Sequence, residues 1–280
     1  MGGWGVITSG IVPHLAELCD EELVVYSRHM SGGVVQGVRF TKSLPEAVAS
    51  QPDVIIGCFD SDGSSRVWWA APLIRAHLES GLRTAIEIST LSVAWATEWS
   101  AMVAHSGSIA TESPVTGSRV GATGGTMSAF GYFTEHDARA EVVLAAFCSR
   151  VYRFSAAGRP ATFKLLYNAW GDTLLDTVGI HLPRFSVLAE DFEQAQEILS
   201  TDGWMSLVVA SKLDRIRSGQ FENADFALRH TVKDLDYVLR VLGPGTEIDQ
   251  LRDKYLQAIS IYGPESDFSS VTAINPGQEA

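Results

Sequence analysis

Asp53-Val54-Ile55-Ile56-Gly57-Cys58-Phe59-Asp60 is a continuous apolar run closed at each end by an acid, and it is the clearest strand in the chain. A short run bounded by turn-forming residues is what a strand buried within a sheet requires. Upstream, Trp4–Ile7, Leu23–Tyr26 and Gly37–Phe40 read as strands of the same sort. Downstream, Thr84–Ile88, Ser108–Ala110 and Val151–Phe154 complete a series of seven. Helical patterns lie between them, with Ile11–Cys19 and Leu44–Ala49 the plainest. Alternating strands and helices build a parallel α/β sheet.

This order is also that of a Rossmann-type, doubly wound dinucleotide-binding domain. The pattern changes near Gly158-Arg159-Pro160. Beyond it only helices are expected: Ala161–Leu182, Phe185–Ser200, Met205–Ser218, Ala224–Leu242 and Thr246–Ile261. Pro183 either interrupts one long helix or divides two, and Gly243-Pro244-Gly245 is a helix break. Gly263 to Ala280 reads as a loosely packed tail. The expectation is therefore two domains, a Rossmann-like α/β domain over residues 1–160 and an all-α domain over 161–280, joined by a long interdomain helix. The helical half carries more apolar surface than a small bundle hides, which predicts a homodimer.

With 280 residues, 46% of them hydrophobic, the chain has ample material for a core. Its 21 basic and 33 acidic residues give a net charge of −12, which argues against nucleic acid or an anionic membrane as the main partner. Cys19, Cys58 and Cys148 form no C-x-x-C pair and are expected to be reduced, buried thiols of a cytoplasmic protein. The start has neither a basic n-region nor a long apolar h-region, so no signal peptide is expected. The histidines show no metal-ligand spacing, and no metal site is expected.

The turn after the first strand is where a G-x-G-x-x-G loop cradles a pyrophosphate at a helix N-terminus. With Trp4–Ile7 as that strand, the turn is Thr8-Ser9-Gly10-Ile11-Val12-Pro13, in which only Gly10 remains of the glycines. It is either a reduced phosphate loop, with Thr8 and Ser9 donating hydroxyls, or a plain βα turn. Ser27-Arg28-His29 ends the second strand, beside the expected adenosine ribose. An arginine with no acid nearby favours a 2′-phosphate, hence NADPH over NADH; the alternative is a solvated loop arginine. Asp60, Ser61 and Asp62 follow the Val54–Phe59 strand at the rim where ribose and nicotinamide would lie, or they simply form a turn; Phe59, Asp60 and Ser61 are cofactor candidates on the first of these readings.

Phe163-Lys164-Leu165-Leu166-Tyr167-Asn168 places a lysine and an amide four residues apart, about 400° of helix, so the two share a face. Asp172 continues that face. Leu165, Leu166, Trp170, Leu174, Leu175 and Val178 around them are apolar, so the polar heads are expected on a largely buried element. Buried charge is costly unless paired or used. The bland alternative for Lys164 is a snorkelling side chain, and for Asp172 a surface ion pair.

Four segments in register, spanning roughly residues 4–268, resemble the β-hydroxyacid dehydrogenase family, which is related to the imine reductases. Ile88-Ser89-Thr90 resembles its "mST" turn, and Ser113-Pro114-Val115-Thr116-Gly117-Ser118 with Gly121-Ala122 and Gly124-Gly125-Thr126-Met127 its substrate segment. Lys164 and Asn168 match its K-x-x-x-N helix, and Phe226 with Val232-Lys233-Asp234-Leu235 its "F…KDL" segment. The resemblance implies Lys164 as general acid/base and Asn168 orienting the reacting oxygen. It implies substrate held at Thr116, Gly117 and Ser118, and cofactor near Ser89 and Lys233. The family has Ser-Gly-Gly where this chain has Thr116-Gly117-Ser118, so the substrate pocket is altered.

The resulting expectation is an NADPH-dependent reductase of a small carbonyl compound, with Lys164 giving a proton to the oxygen and Asn168 stabilising the charge that develops there. The active site is expected in the cleft between the two domains. Two alternatives stand beside it. Asp172 with Trp170 could hold a cationic iminium, making the chain an imine reductase; or the chain is a binding scaffold that has lost its cofactor.

Overall fold

The computed structural model describes residues 1–19, 22–28, 35–135 and 137–274. The chain is an α/β half followed by helices, and its contacts divide it into Met1–Lys164 and Leu165–Ala280.

In the first unit α1 (Val6–Ala16) is followed by β1 (Leu23–Tyr26), β2 (Val38–Thr41), α2 (Leu44–Ala49), β3 (Val54–Gly57), α3 (Asp62–Trp69), α4 (Pro72–Glu79) and β4 (Thr84–Glu87). Next come α5 (Val93–His105), β5 (Ile109–Glu112), β6 (Val115–Thr116), α6 (Ser118–Thr123), β7 (Met127–Phe133), α7 (Ala138–Ala145) and β8 (Cys148–Arg153). β1 pairs with β2, and β3 with β4 and β4 with β5, all in parallel. Residue Gly2 bridges both Tyr26 and Gly57, so the first three residues join these two groups of strands.

That bridge corrects the reading of Trp4–Ile7 as a strand. The backbone of residues 1–3 does the strand's work: Gly2 N–H donates to Ile56 O at 2.7 Å and Gly3 N–H to Tyr26 O at 3.0 Å. Gly5, extended at φ −168°, caps α1, which begins at Val6. Leu44–Ala49 is a helix as expected, with Ser43 accepting from Glu46 N–H at its start. Two strands went unread, β6 and β7. β7 runs antiparallel to β5 and β6 and parallel to β8.

Residues alternate across the sheet, and both faces are covered. Ile56, Ile86 and Ile88 pack with Ile11, Leu15, Leu144 and Phe147 on one side. Ile55 and Ala85 face Trp68, Trp69, Trp95 and Trp99 on the other. Burial on both faces is the reason these strands read as unbroken apolar runs.

α8 (Arg159–His181) is the longest helix, and the boundary between the two units falls within it. A 3-10 stretch over Leu182–Asp191, containing Pro183, ends it. The second unit continues with α9 (Phe192–Thr201), α10 (Ser206–Ala210), α11 (Leu213–Ser218), α12 (Leu228–Leu242) and α13 (Glu247–Tyr262). The segments expected as single helices over Phe185–Ser200 and Met205–Ser218 are thus each divided. α12 stops at Gly243, whose φ of +85° suits glycine. The tail is not loose over its described part. Asp267 and Ser269 to Thr272 are buried, with the Asp267 carboxylate accepting from Ser269 Oγ at 2.6 Å and Asp225 N–H at 2.9 Å.

Candidate active site

The first βα turn lies at Gly3-Trp4-Gly5, not at Thr8–Val12. Gly3 has φ +99°, and a Cβ there would stand 1.9 Å from Cys58 O, so the tight turn needs glycine. Gly5, at the head of α1, has nothing within 4 Å of where a Cβ would point. Tight turn first and open backbone second are the jobs of the first two glycines in a dinucleotide loop. Thr8, Ser9, Gly10, Ile11 and Val12 lie inside the helix. Thr8 Oγ1 donates to Gly5 O at 3.1 Å and Ser9 Oγ to Val6 O at 2.9 Å. Gly10 serves packing: a Cβ would come within 2.7 Å of Ala122 on α6. Reading residues 4–7 as a strand hid the G-x-G at 3 and 5, which was the available signal.

Ser27 is buried and Arg28 exposed at the end of β1. His29 lies outside the described residues. Asp60 and Ser61 are engaged in starting α3: Ser64 Oγ donates to Asp60 at 2.7 Å, and Ser61 Oγ accepts from Ser64 N–H at 3.3 Å. Ser89 is buried; its hydroxyl donates to Glu87 and accepts from Phe59 N–H at 2.6 Å. The carboxylate of Glu87 also accepts from Ser65 Oγ at 2.8 Å and Trp69 Nε1 at 2.7 Å. Burial pushes its pKa above the ordinary glutamate value despite these donors.

Thr116 sits in β6, in register with Ser128, rather than in a turn. Gly117 follows at φ +141° and Ser118 at φ +54°, both exposed at the start of α6. A Cβ on Gly117 would approach Met127 Cα to 3.2 Å, so the backbone here is pressed against β7.

On α8 the expectation of a largely buried element holds for part of the helix: Leu165 and Leu175 are buried, Leu174 and Val178 half-buried, and Leu166 and Trp170 exposed. Lys164 (6% exposed), Asp172 and Asp176 are buried and Asn168 half-buried, whereas Phe163, Leu166, Tyr167 and Trp170 (67% exposed) form the outer stripe. Asn168 Nδ2 donates to Asp234 Oδ2 at 2.7 Å, and Lys233 Nζ lies 3.0 Å from Asp234 Oδ1. Asp234 is itself buried, so it fixes the amide of Asn168 while its own charge is balanced by Lys233. Further along, Lys254 Nζ meets Asp176 at 2.7 Å, and the Tyr255 hydroxyl donates to Asp172 O at 3.4 Å. Periodicity placed Lys164, Asn168 and Asp172 on one face; it did not say which face turns inward. Trp170, two residues from Asp172, stands about 200° away around the helix, so the two do not share a face. Four of the seven tryptophans, Trp68, Trp69, Trp95 and Trp99, are core residues of the first unit.

Glu112, at the end of β5, is a functional candidate that the sequence did not single out. It is 2% exposed, and its carboxylate accepts from Gly158 N–H at 2.7 Å and Ala161 N–H at 2.9 Å. Burial, with the neighbouring Glu87 charge adding to it, pushes the pKa up to about 7 against the pull of those two donors. Cys148 is buried and pushed up to about 12 by burial, whereas Cys19 is exposed, contrary to expectation. Among the described residues no cluster of His, Cys, Asp and Glu could hold a metal ion, and no helix is long and apolar enough to cross a membrane.

No protein-family model matches the sequence, and no curated protein does. Solved structures do match. Psf3 in complex with NADP+ and 2-OPP aligns with a TM-score of 0.79 at 20% identity over 98% of each chain. The 3-hydroxyisobutyrate dehydrogenase of Salmonella typhimurium aligns at 0.78 and 17%, again over 98% of each. An imine reductase variant from Myxococcus stipitatus, in complex with NAD+, aligns at 0.58 and 13%, over 98% of this chain and 97% of the other. These likenesses establish the fold, and both branches that the sequence motifs resemble share it.

Proposed function

We propose that the chain is an NADPH-dependent reductase of a small carbonyl compound, interconverting a semialdehyde and a hydroxyacid, with Lys164 as the proton donor. The observation that carries this reading is the inward polar stripe of α8. There a buried lysine stands one turn from an amide that a buried aspartate holds in place. A helix that buries polar groups while exposing aromatic ones forfeits apolar burial, and that cost is understandable where the groups work.

The Gly3–Gly5 turn fits a pyrophosphate, because it combines an obligatory tight turn with open backbone at a helix start. Arg28, exposed at the end of β1, suits the 2′-phosphate. The NADP+ bound to Psf3 supports that choice. When bound, the cofactor supplies hydride. Lys164 gives its proton to the substrate oxygen. Asn168, steadied by Asp234, hydrogen-bonds the same oxygen as charge gathers on it. Thr116, Gly117 and Ser118 hold the substrate's acidic group, as the exposed left-handed backbone at 117 and 118 allows. An imine substrate is the second reading. It loses the support of Trp170, which faces away from Asp172.

NADPH fluorescence titration tests cofactor binding: saturable enhancement is expected, and none leaves a scaffold. A small semialdehyde and a cyclic imine are then assayed side by side with NADPH. Reduction of the imine alone reverses the order of the two readings.

The second unit exposes Val187, Trp204 (87% exposed) and Leu207, more apolar surface than a lone bundle tolerates. We infer that it pairs with a second copy. Light scattering is expected to give twice the chain mass of 30.3 kDa, with W204E/L207E shifting the mass to one copy. A wild-type monomer overturns the inference.

A further inference from the structure

The first turn of α8 has few ways to satisfy its N–H groups. Arg159 N–H reaches Ala156 O at 3.3 Å, Pro160 has none, and Thr162 N–H bonds Gly158 O at 2.9 Å. The donors of Gly158 and Ala161 remain, and the two oxygens of Glu112 take both. A Ser, Thr, Asn or Asp just before the helix would satisfy such donors without burying a charge. Here the cap comes instead from the end of β5, 46 residues earlier. A cap borrowed from another element ties the helix to a place as well as closing its end. Phe163 adds a second tie, its ring 4.6 Å from Phe130 of β7 and 5.4 Å from Phe154. Lys164 is the next residue. Glu112 also begins the Glu112-Ser113-Pro114-Val115-Thr116 stretch that leads into the 116–118 segment.

We infer that Glu112 is a positioning residue for Lys164: its carboxylate pins the first turn of α8 to the end of the sheet and so fixes where the ammonium stands. The inference rests on the reading of Lys164 as the proton donor. The elevated titration of Glu112 agrees with a group kept in an unfavourable setting for a purpose.

Wild type, Glu112→Gln and Glu112→Asp are compared in steady-state turnover with NADPH, using whichever of a small semialdehyde or a cyclic imine the wild type reduces. Hydrogen exchange of the 158–166 segment is followed in the same samples. In Gln, one oxygen becomes an NH2 that faces an N–H donor, so one of the two ties is lost. Expected is a kcat lowered about tenfold or more in Glu112→Gln with KM for NADPH within about twofold, since a small misplacement acts on the chemical step. Exchange should quicken over 158–166, and Glu112→Asp, which keeps the charge, should fall between the other two. A folded Glu112→Gln with unchanged kcat, unchanged exchange, or KM and kcat altered together overturns the inference. If Glu112→Gln does not fold, Glu112→Asp decides: lowered kcat at constant KM supports the role, and wild-type kcat removes it. A wild type that reduces neither probe removes the functional reading itself, and with it any donor to position. An active wild type beside an indifferent Glu112→Gln removes only the role of Glu112.

Discussion

Lys164→Ala is expected to lower turnover by about 10²- to 10⁴-fold, the usual contribution of a positioned general acid. NADPH affinity should stay within about threefold, because a group acting on the reacting oxygen contributes to the transition state more than to the bound ground state. The side chain is buried on α8, and the backbone proposed to hold the pyrophosphate is the separate turn at Gly3–Gly5. Removing a buried stem also leaves a cavity. Lys164→Met therefore belongs in the same experiment: it refills the volume without restoring the ammonium. Loss of turnover shared by both variants, with circular dichroism unchanged, identifies the proton donor. Turnover within about tenfold of wild type in Lys164→Met would assign the proton elsewhere.

Gly3→Ala and Gly5→Ala are expected to fail in opposite ways. At Gly3 a methyl group meets Cys58 O at 1.9 Å from a backbone with φ +99°, so strain and overlap act together. A loss of about 3 to 5 kcal/mol of stability should follow, seen as a fall of about 10 °C or more in Tm. At Gly5 the backbone is extended and the space is open, so alanine should fold with little change. Its methyl group instead occupies the approach to the head of α1, and NADPH Kd should rise about tenfold or more, a loss of about 1.4 kcal/mol. Thermal melts and fluorescence titrations of the two variants separate these outcomes. Wild-type NADPH affinity in Gly5→Ala would move the pyrophosphate away from this turn.

The parts of the fold legible in the sequence are those where one physical requirement dominates. Leu23–Tyr26 and Val54–Gly57 are apolar runs whose central residues are buried, as strands covered on both faces usually are. Gly243 ended a helix as expected because a left-handed cap needs glycine. The first turn was misplaced because α1 opens without a polar cap, at Gly5, while Val6 and Ile7 mimic the end of a strand. β7 was missed because Met127–Phe133 carries a glycine and a serine within its run and pairs out of chain order. In the candidate site, Lys164 and Asn168 were legible from a four-residue spacing. Glu112 was not, since its partners are 46 and 49 residues away, and no local pattern records such a reach.

The inward polar stripe of α8 has a consequence for how the chain folds. Ordinary amphipathic helices are drawn into place by collapse of an apolar face, but the buried face of this one mixes Ala161, Leu165, Ala169 and Leu175 with Lys164, Asp172 and Asp176. Its inner face is completed by Asp234, Lys254 and Tyr255, which lie 66, 78 and 83 residues further along. Contacts of such sequence separation are slow to form, because the loop entropy is lost before any bond is gained. The polar contacts of the middle helix therefore depend on nearly the last one, and a nucleus built from local contacts would leave them to form afterwards.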